Sequence, residues 1–439
     1  MTEKPIQNCG KCGLCLSVCP VYQVLKQEQA SPRARLQLIK AFEKKDLAAS
    51  PLLKDLVSRC LMCGACKAAC PSGINHYGKF MEMREQLAQS QPDPPAIRSL
   101  VYLLAREYRL RMGAGLARIG RRLTPAFLAD KYRIGNIPVH RFPKMNPAPF
   151  RRTLPGTIPA RGIRLGRVIY FVGCATQYLF ADTGQATVDI LTRLGYEVVI
   201  PKNQTCCGIP MMFHGARDRA AHNMAANLTA LAEAFDTGPC DAVIVDCTTC
   251  GAALKDEYPA LMDILACRTE PNPSHHPAPS QHTDPALFEK LDTLPPDIHT
   301  RIAGKTRDIL SFVHDHQHLL EMRPDLTPDK VIYHAPCHTR NSFNAAGTVT
   351  ALLAGLPCFD YIPVPDTAAC CGGGGTFFYE YPDISQKMMA KKLAHARAAD
   401  ADFWLTDCPV CRINLHGSLS EQDRLTVTHP VTLISKGLK

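Results

Sequence analysis

The chain has 439 residues, of which 46% are apolar and 21% charged, as in an ordinary globular protein of two or three domains. No apolar run approaches the ~18 residues that a membrane-spanning helix needs, and the first residues lack the apolar core of a signal peptide. We therefore expect a cytoplasmic protein. Twenty-one cysteines in a reducing compartment indicate metal or redox chemistry rather than a disulfide framework.

Two four-cysteine runs lie near the N-terminus, and a proline follows each. Both have the spacing C-x2-C-x2-C-x3-C-P, which is typical of bacterial ferredoxins with 4Fe–4S clusters. In that pattern three thiolates of one run and the last thiolate of the other run bind one cluster. Zinc would explain isolated C-x2-C pairs, but not two such runs. We predict two cubane 4Fe–4S clusters, one bound by Cys9, Cys12, Cys15 and Cys70, the other by Cys60, Cys63, Cys66 and Cys19.

The residues around these runs have helical periodicity. Apolar residues recur at three- and four-residue steps from Pro32 to Val57, and His76 to Ser90 forms a second amphipathic stretch. We predict a helical two-cluster ferredoxin domain over residues 1–95, in which helices replace strands.

The next segment, residues 96–166, is basic and rich in proline. Between Arg98 and Arg167, sixteen Lys or Arg stand against two Asp or Glu, and we expect a helix followed by an extended tether. The charge favours docking to an acidic partner protein or to a membrane surface, with a solvated basic linker as the alternative. No recognition module accompanies the charge, so we expect no nucleic-acid partner.

Ten further cysteines form an internal repeat. Each copy has a lone cysteine, a Cys–Cys–Gly sequence and a C-x2-C pair, and equivalent cysteines lie 161 to 164 residues apart. Such a constant period indicates duplicated domains. The first set is Cys174, Cys206, Cys207, Cys247 and Cys250, and the second is Cys337, Cys370, Cys371, Cys408 and Cys411. We assign the two domains to residues 167–267 and 329–439, joined by a linker over residues 268–328.

Each copy alternates apolar, strand-like runs with helical stretches, which is typical of α/β units around a mostly parallel sheet. Such runs end at cysteines, as in Val168 to Cys174 and Val331 to Cys337. Because ligands lie beyond the carboxyl ends of parallel strands, we expect the five cysteines of each copy to converge. Gly208 and Gly372, after the paired cysteines, suit a turn with positive φ or a close backbone approach.

Three cysteines lie outside the repeat, and we interpret Cys240, Cys267 and Cys358 as structural or incidental thiols. The linker contains His275, His276 and His282, which fit flexible filler better than a metal site.

This arrangement resembles a known family. A two-cluster ferredoxin domain followed by paired Cys–Cys–Gly (CCG) domains is similar to the iron–sulfur subunits of glycolate oxidase and lactate dehydrogenase. Wider relatives are the anaerobic glycerol-3-phosphate dehydrogenase C subunit and heterodisulfide reductase subunits. The stretches that carry the resemblance are CLMCGACKAACPSGINHYGKFMEMRE, TCCGIP followed by HGARDRAAHNMAAN, and CCGGGGTFFYEYPDIS.

The resemblance implies a non-cubane 4Fe–4S cluster in each complete five-cysteine set, with zinc at one of them as an alternative. Glycolate oxidase subunits often lack one cysteine of the final pair. Here both Cys408 and Cys411 are present, which favours the lactate dehydrogenase or heterodisulfide reductase side.

The resemblance also implies a function: an electron-transfer subunit of a glycolate or lactate dehydrogenase complex, relaying electrons from an FAD-containing subunit to a quinone, cytochrome or other acceptor. We find no flavin or nicotinamide fingerprint, since Gly372 to Gly375 follow cysteines directly and form no GxGxxG turn. The alternative is disulfide reduction on a non-cubane cluster, as in heterodisulfide reductase.

No catalytic residue is assigned, although His338 and Arg340 follow Cys337 as candidate polar neighbours of a cluster. We expect a cytoplasmic location, with peripheral contact at the inner face of the cell membrane as an open alternative.

Overall fold

The computed structural model of the chain describes residues 6–123, 132–266 and 284–439. Cys267 and the three linker histidines lie outside these ranges. The N-terminal region is helical, as predicted. Its helices are α1 (Leu14–Ser17), α2 (Pro20–Leu25), α3 (Pro32–Glu43), α4 (Pro51–Ser58), α5 (Ala65–Ala68) and α6 (His76–Ser90).

The helical stretch predicted from Pro32 to Val57 is two helices rather than one. Each begins with a serine cap and a proline in the first turn: the hydroxyl of Ser31 accepts from the Ala34 amide, and that of Ser50 from the Leu53 amide. A capping serine followed by proline is a strong helix start, and it divides the amphipathic stretch.

The two four-cysteine loops have the same backbone conformation. Lys11 and Met62, each two residues after the first cysteine of its run, both have φ of 53°. Gly13 and Gly64 then take φ of 82° and 74° just before α1 and α5. These left-handed residues turn each loop back on itself, so that cysteines three residues apart face the same space.

After α6 come α7 (Pro95–Leu104), α8 (Glu107–Leu123) and a short antiparallel hairpin of β1 (Arg133–Ile134) and β2 (Ile137–Pro138). The proline-rich part that we expected to be an extended tether is packed into the fold, because Ile137 and Phe150 are buried. Strand β3 (Thr157–Ile158) of the same segment joins the first main sheet.

The first main sheet has the strand order β3-β5-β4-β6-β7. All neighbours are parallel except β3, which pairs antiparallel with β5 at the edge. Strand β7 lies beyond residue 267, so the first sheet takes a strand from the segment assigned to the linker. The strands are β4 (Gly166–Phe171), β5 (Tyr196–Val199), β6 (Ala242–Val245) and β7 (Thr306–Asp308).

The second main sheet has the order β11-β10-β8-β9, and all of its pairs are parallel. The prediction of two α/β domains with mostly parallel sheets is therefore confirmed. The strands are β8 (Asp329–Tyr333), β9 (Phe359–Tyr361), β10 (Phe403–Leu405) and β11 (Thr426–Thr428).

Helices cover both sheets. In the first unit they are α9 (Cys174–Tyr178), α10 (Ala181–Arg193), α11 (Ile209–Phe213), α12 (Arg217–Asp236), α13 (Thr248–Ala252), a π-helical turn at Ala253–Glu257, α14 (Tyr258–Ala266), α15 (Pro285–Asp292), α16 (Ile298–Lys305) and α17 (Ile309–His316). In the second they are α18 (Cys337–Asn341), α19 (Ala346–Gly355), α20 (Phe377–Glu380), α21 (Pro382–Ala398), α22 (Pro409–Ser418) and α23 (Pro430–Gly437).

The two sheets share one hydrophobic core. Tyr170 and Ile190 of the first unit belong to the same buried cluster as Tyr333 and Val431 of the second, and α10 packs on α23. Because burial of apolar surface is the main stabilising term, neither unit keeps its full core without the other.

Polar contacts attach the ferredoxin region to both units. The guanidinium of Arg84 donates to the backbone oxygens of Cys60 (2.6 Å) and Phe213 (2.9 Å), which lie on opposite sides of the boundary. His214 contacts Asp93 (3.0 Å) through Nδ1 and the Thr376 hydroxyl (2.8 Å) through Nε2. One histidine thus links all three regions. Among the described residues, none of the helices has the length and apolarity to cross a membrane.

A glycine at the same boundary gives a stability prediction. Gly215 has φ of 68°, and an added Cβ would lie 2.7 Å from the Arg84 oxygen and 2.8 Å from the Glu85 Cα. We expect Gly215→Ala to cost about 1–2 kcal/mol for the left-handed backbone and about 1–3 kcal/mol more for overpacking against α6. The thermal unfolding midpoint measures the loss.

The matched control is Gly162→Ala, since Gly162 has φ of 77° but nothing within 4 Å of the added Cβ. It should lower the midpoint by the backbone contribution alone. Equal midpoints for the two variants would contradict a tight contact between the ferredoxin region and the first unit.

Candidate metal centres

The first predicted ferredoxin set lies at the surface. Cys12 is exposed and Cys9 is partly exposed, whereas Cys15 is buried. Burial raises the pKa of Cys15 to about 11, and neighbouring Cys9 and Cys12 add to the rise. Cys70, from the other run, packs against the same hydrophobic core as Cys9 and Cys15.

The second predicted ferredoxin set surrounds a cavity. Cys19, Cys60, Cys63 and Cys66 all line about 400 Å³ of space that protein atoms do not fill, part of it open to solvent. Burial raises the pKa of Cys63 to about 12, and Cys60 and Cys19 contribute to that rise. Cys19 therefore lies with the three cysteines of the other run, as the predicted exchange of the fourth cysteine requires.

The first five-cysteine set is a continuous group of sulfur atoms. Cys206 contacts Cys174 and Cys207, and Cys207 contacts Cys250, which in turn contacts Cys247. Hydrogen bonds from Cys206 and Cys250 lower the pKa of Cys207 to about 6 despite its burial. An added Cβ on Gly173 would lie 2.9 Å from the Cys250 Sγ, so this glycine permits the close approach of the sulfur.

The second set has the same arrangement. The Sγ atoms of Cys371 and Cys411 are 3.2 Å apart, and the Gly372 amide donates to the Sγ of Cys370 at 3.3 Å. Gly372 and Gly208 take φ of 78° and 92°, which confirms the predicted turn after each cysteine pair. An added Cβ on Gly372 would lie 2.8 Å from the Ser385 hydroxyl, so the turn has no room for a side chain.

A buried aspartate supports the C-x2-C pair of each set. Asp246 accepts from the hydroxyls of Tyr170 (2.7 Å) and Thr176 (2.6 Å). In the second unit Asp407 accepts from the hydroxyls of Tyr333 (2.8 Å) and Thr339 (2.6 Å). Burial raises the pKa of Asp407 to about 7. These contacts tie together the ends of two strands and the helix that follows the lone cysteine.

The sequence analysis missed this repeated group of an Asp, a Tyr and a Thr, which we call the Asp–Tyr–Thr triad. The internal repeat nevertheless contains the pattern that could have revealed it. The Asp stands just before Cys247 and Cys408, and the Tyr lies in the aligned stretches VIYFVGC and VIYHAPC.

The four sets form a series of neighbours. Burial and the three other thiols of the second ferredoxin set raise the pKa of Cys66. Cys15, of the first ferredoxin set, adds to that rise. Burial and then Cys63 raise the pKa of Cys337, so the second ferredoxin set adjoins the second five-cysteine set. A hydrogen bond with Cys250 lowers the pKa of Cys247, but burial and the nearby Cys408 have the larger, opposite effect, so the pKa of Cys247 is raised. The two five-cysteine sets are therefore also adjacent.

Polar side chains cross these boundaries. The amide of Asn341, at the end of α18, donates to the Cys63 oxygen at 2.6 Å. The Thr249 hydroxyl, from the first unit, lies 3.1 Å from His338 Nδ1 and 3.6 Å from the Cys408 Sγ. His338 thus lies between the two five-cysteine sets, and burial lowers its pKa to about 4. Arg340 is near enough to Cys337 and Cys63 to lower the pKa of both thiols, although burial has the larger, opposite effect.

The second set has a nitrogen donor that the sequence did not single out. A ring nitrogen of His334 and the sulfurs of Cys371 and Cys411 all lie within 4.8 Å of one another, in a group suited to a metal ion. His334 is buried, and its ring interacts with the Cys371 thiol. The aligned residue of the first set is Phe171, so the duplicated sites differ here.

The donor chemistry fits iron–sulfur clusters. The five sulfurs of each set crowd together in the interior, where desolvation penalises thiolates and like charges repel. A bound group must therefore bring positive charge and accept several sulfur ligands, as an iron–sulfur core does. The cysteines of both ferredoxin loops and both CCG sets are the side chains that would hold such clusters.

Comparison with protein families gives the same division of the chain. The family described as "4Fe-4S dicluster domain" matches residues 5–74. The family described as "Cysteine-rich domain" matches twice, at residues 168–255 and 331–416.

Two of the relatives are named as iron–sulfur subunits of glycolate oxidase, and a third is named for lactate utilization. The "Probable glycolate oxidase iron-sulfur subunit" of Bacillus subtilis is 27% identical over 94% of this chain and 89% of its own length. The "Glycolate oxidase iron-sulfur subunit" of Escherichia coli is 25% identical over 99% of this chain and 94% of its own. The "Lactate utilization protein A" of Geobacillus kaustophilus is 29% identical over 58% of this chain and 92% of its own.

The relatives and the two domain types together account for the cysteine loops, the duplicated sheets and the four groups of sulfur atoms. The chain is an iron–sulfur protein homologous to the glycolate oxidase iron–sulfur subunits and to lactate utilization protein A, with one 4Fe-4S dicluster domain and two CCG domains.

Proposed function

We propose that the chain is the electron-transfer subunit of a flavin-dependent glycolate or lactate dehydrogenase complex. It takes electrons from an FAD-containing subunit and passes them to a quinone, cytochrome or other acceptor. The observation that carries the proposal is the unbroken series of four cysteine sets, in which each set influences the thiols of the next. Clusters bound there would supply one-electron steps and thereby divide the two-electron oxidation of a hydroxy acid.

We assign two cubane clusters to the ferredoxin sets and a non-cubane 4Fe–4S cluster to each five-cysteine set. The order along the series is Cys9/Cys12/Cys15/Cys70, then Cys19/Cys60/Cys63/Cys66, then the second five-cysteine set and finally the first. In this order the sets follow one another through space rather than along the chain.

The chain's own residues hold the sets together and exclude water. Asn341 fixes the loop of Cys63 against α18, and Thr249 bridges the two CCG domains at Cys408. The sulfurs of Cys206, Cys207, Cys247 and Cys250 are buried. A dry interior reduces the reorganisation that accompanies a change of charge, which favours transfer between neighbouring sites.

The surface near the first ferredoxin set supports docking of the flavoprotein there. Cys12 is exposed, and the apolar side chains of Leu14 and Val18 next to it are exposed as well. An exposed apolar patch around a redox site is suited to a protein partner, because docking buries the patch and shortens the distance to the donor.

The first experiment is anaerobic pull-down of the tagged chain from its native cell, with iron, zinc and flavin measured together. We expect a flavoprotein to co-purify and roughly sixteen irons per chain, four for each of four clusters. One zinc per chain with fewer irons would instead make one five-cysteine set a zinc site. Oxidation of lactate or glycolate by the chain alone would refute the relay.

The docking surface is tested by Leu14→Glu, which should abolish co-purification of the flavoprotein and leave the iron content unchanged. Leu52→Glu is the matched control, since Leu52 is exposed on α4. Retention of the flavoprotein by Leu14→Glu would place the docking site elsewhere.

A further prediction concerns His334. His334→Phe gives the second set the residue that the first set has at Phe171, so the two sites should become more alike. Because an imidazole N–H donated to a cluster or its thiolates stabilises added negative charge, we expect the reduction potential of one centre to fall. Redox titration followed by EPR measures the shift at unchanged iron content. Unaltered potentials and spectra would show that His334 does not face the bound cluster.

An alternative function is reduction of a disulfide at the second five-cysteine set. The observation that favours it is the polar environment of that set, with His334 beside Cys371 and Cys411 and the buried Lys392 near the same sulfurs. Burial lowers the pKa of Lys392, while Asp366 and the nearby thiols oppose this. A lysine and a histidine are suitable proton donors for the thiolates that disulfide cleavage produces.

Lys392→Met tests the alternative. With a strong artificial electron donor, the wild-type chain should reduce a disulfide, and the variant should be slowed by more than tenfold, as expected for loss of a general acid. Lys391→Met is the control, because it removes the same charge at the exposed neighbouring position of α21 and should leave the rate of disulfide reduction unchanged. Absence of disulfide reduction by the fully loaded wild type would eliminate this function.

A further inference from the structure

Helix α8 exposes a continuous apolar stripe. None of its 17 residues is buried. Five large apolar side chains recur at steps of three and four residues and therefore lie on one face. They are between 52% and 77% exposed, and we call them the outer stripe: Tyr108, Met112, Leu116, Ile119 and Leu123.

The opposite face of α8 is attached to the protein by polar groups. The guanidinium of Arg121 donates to the backbone oxygens of Phe142 (2.7 Å), Pro143 (3.1 Å) and His140 (3.1 Å). Arg118, one turn earlier, donates to the Pro147 oxygen. These contacts fix the rotation of the helix about its axis, so the outer stripe points away from the protein.

The first turn is fixed as well. Glu107 forms an ion pair with the buried Arg151 at 2.8 Å and accepts from the Tyr178 hydroxyl at 2.7 Å. Tyr178 closes α9, which begins at Cys174. The start of α8 is therefore anchored beside the first five-cysteine set.

This orientation differs from that of an ordinary surface helix. Amphipathic helices of globular proteins turn their apolar face to the core and their charges to water. In α8 arginines and Leu110, which packs against the core, contact the protein, whereas the five large apolar side chains of the outer stripe face outward. An exposed apolar face of this extent indicates a binding surface.

The charges around the stripe are of one sign. Helix α8 carries five arginines and a single acid, Glu107, which is neutralised by Arg151. Arg111 and Arg122 are exposed at the side of the stripe, and Arg98 and Arg106 are exposed on the adjoining α7 region. The guanidinium of Arg109 stacks 3.9 Å from the ring centre of the exposed Tyr102. The complementary partner is therefore apolar at its centre and anionic around it.

We propose that α8 binds the surface of an anionic lipid bilayer, lying in the interface with the outer stripe among the acyl chains and the arginines at the phosphates. A helix with an apolar face, a basic polar face and low overall hydrophobicity has the chemistry of an interfacial membrane helix. Its length of about 25 Å suits a helix that lies along the surface. The proposal does not depend on the electron relay. If the relay holds, the bilayer lies on the side of the first five-cysteine set, where a lipid-dissolved acceptor would be reached.

The test uses the full chain, loaded with clusters and kept anaerobic, in flotation assays with two kinds of vesicle. One is phosphatidylcholine alone, and the other contains equal parts of phosphatidylcholine and phosphatidylglycerol. We expect binding to the anionic vesicles, weaker binding to the neutral ones, and a decrease with added salt because the arginine contribution is screened. Absence of binding to both would overturn the proposal.

Leu116→Glu should reduce binding to the anionic vesicles more than tenfold, since it places a charge in the centre of the stripe. The matched control is Leu52→Glu, because Leu52 of α4 is 67% exposed and Leu116 is 68% exposed. The control should bind as the wild type does, and equal binding by the two variants would overturn the assignment to α8. Iron content and circular dichroism check that both variants fold.

Arg122→Glu should weaken binding to the anionic vesicles and leave the weak binding to neutral vesicles unchanged. A protein partner is the competing occupant. The membrane proposal is wrong if the wild type binds neither kind of vesicle and Leu116→Glu no longer co-purifies with the flavoprotein. In that case the stripe is a subunit interface.

Discussion

The close packing of cysteine sulfurs is the constraint that shapes the whole molecule. Thiolates gathered in a protein interior repel one another and lose their hydration, so their convergence is tolerated only around a group that carries positive charge. The backbone meets this constraint with the left-handed turns at Gly13, Gly64, Gly208 and Gly372. Parallel strands then bring distant segments to one edge, where the lone cysteine, the cysteine pair and the C-x2-C pair of each set meet.

The three regions of the chain are interlocked rather than arranged in a row. The two sheets share one core, and the ferredoxin region packs on both units through Arg84 and His214. This interlocking explains why the second ferredoxin set adjoins the second CCG domain although the first CCG domain is nearer in the sequence. Short distances between redox sites need rigid boundaries, and bonds such as Asn341 to Cys63 supply them.

Duplication produced two sites of equal architecture but different surroundings. The Asp–Tyr–Thr triad is retained in both, since it positions the strand ends. The second set in addition has His334 and Lys392 close to its sulfurs. The first set has Phe171 at the position of His334, and Arg151 lies near its Cys174. Hydrogen bonds and charges around a cluster govern its reduction potential, so the two sites are suited to different positions in an electron-transfer series.

The number of cysteine sets, the duplication, the helical ferredoxin domain and the parallel α/β sheets could all be predicted from the amino-acid sequence. These features follow from local spacing and periodicity, because ligand loops and strands are encoded within short segments. The assignment of individual cysteines to clusters remains a prediction, which the grouping of Cys19 with Cys60, Cys63 and Cys66 supports.

The order of the sets in space, the positions of His334 and Lys392 beside the second set and the outward face of α8 emerged from the folded chain alone. Cys63 lies near enough to Cys337, and Cys408 near enough to Cys247, to raise the pKa of that thiol, although the residues of each pair are far apart in the chain. The periodicity of α8 reveals an amphipathic helix but not its rotation. That rotation is set by the return of residues 140–147 to accept the hydrogen bonds of Arg118 and Arg121. Local sequence contains no information about where a distant segment returns, because packing of the whole chain determines it.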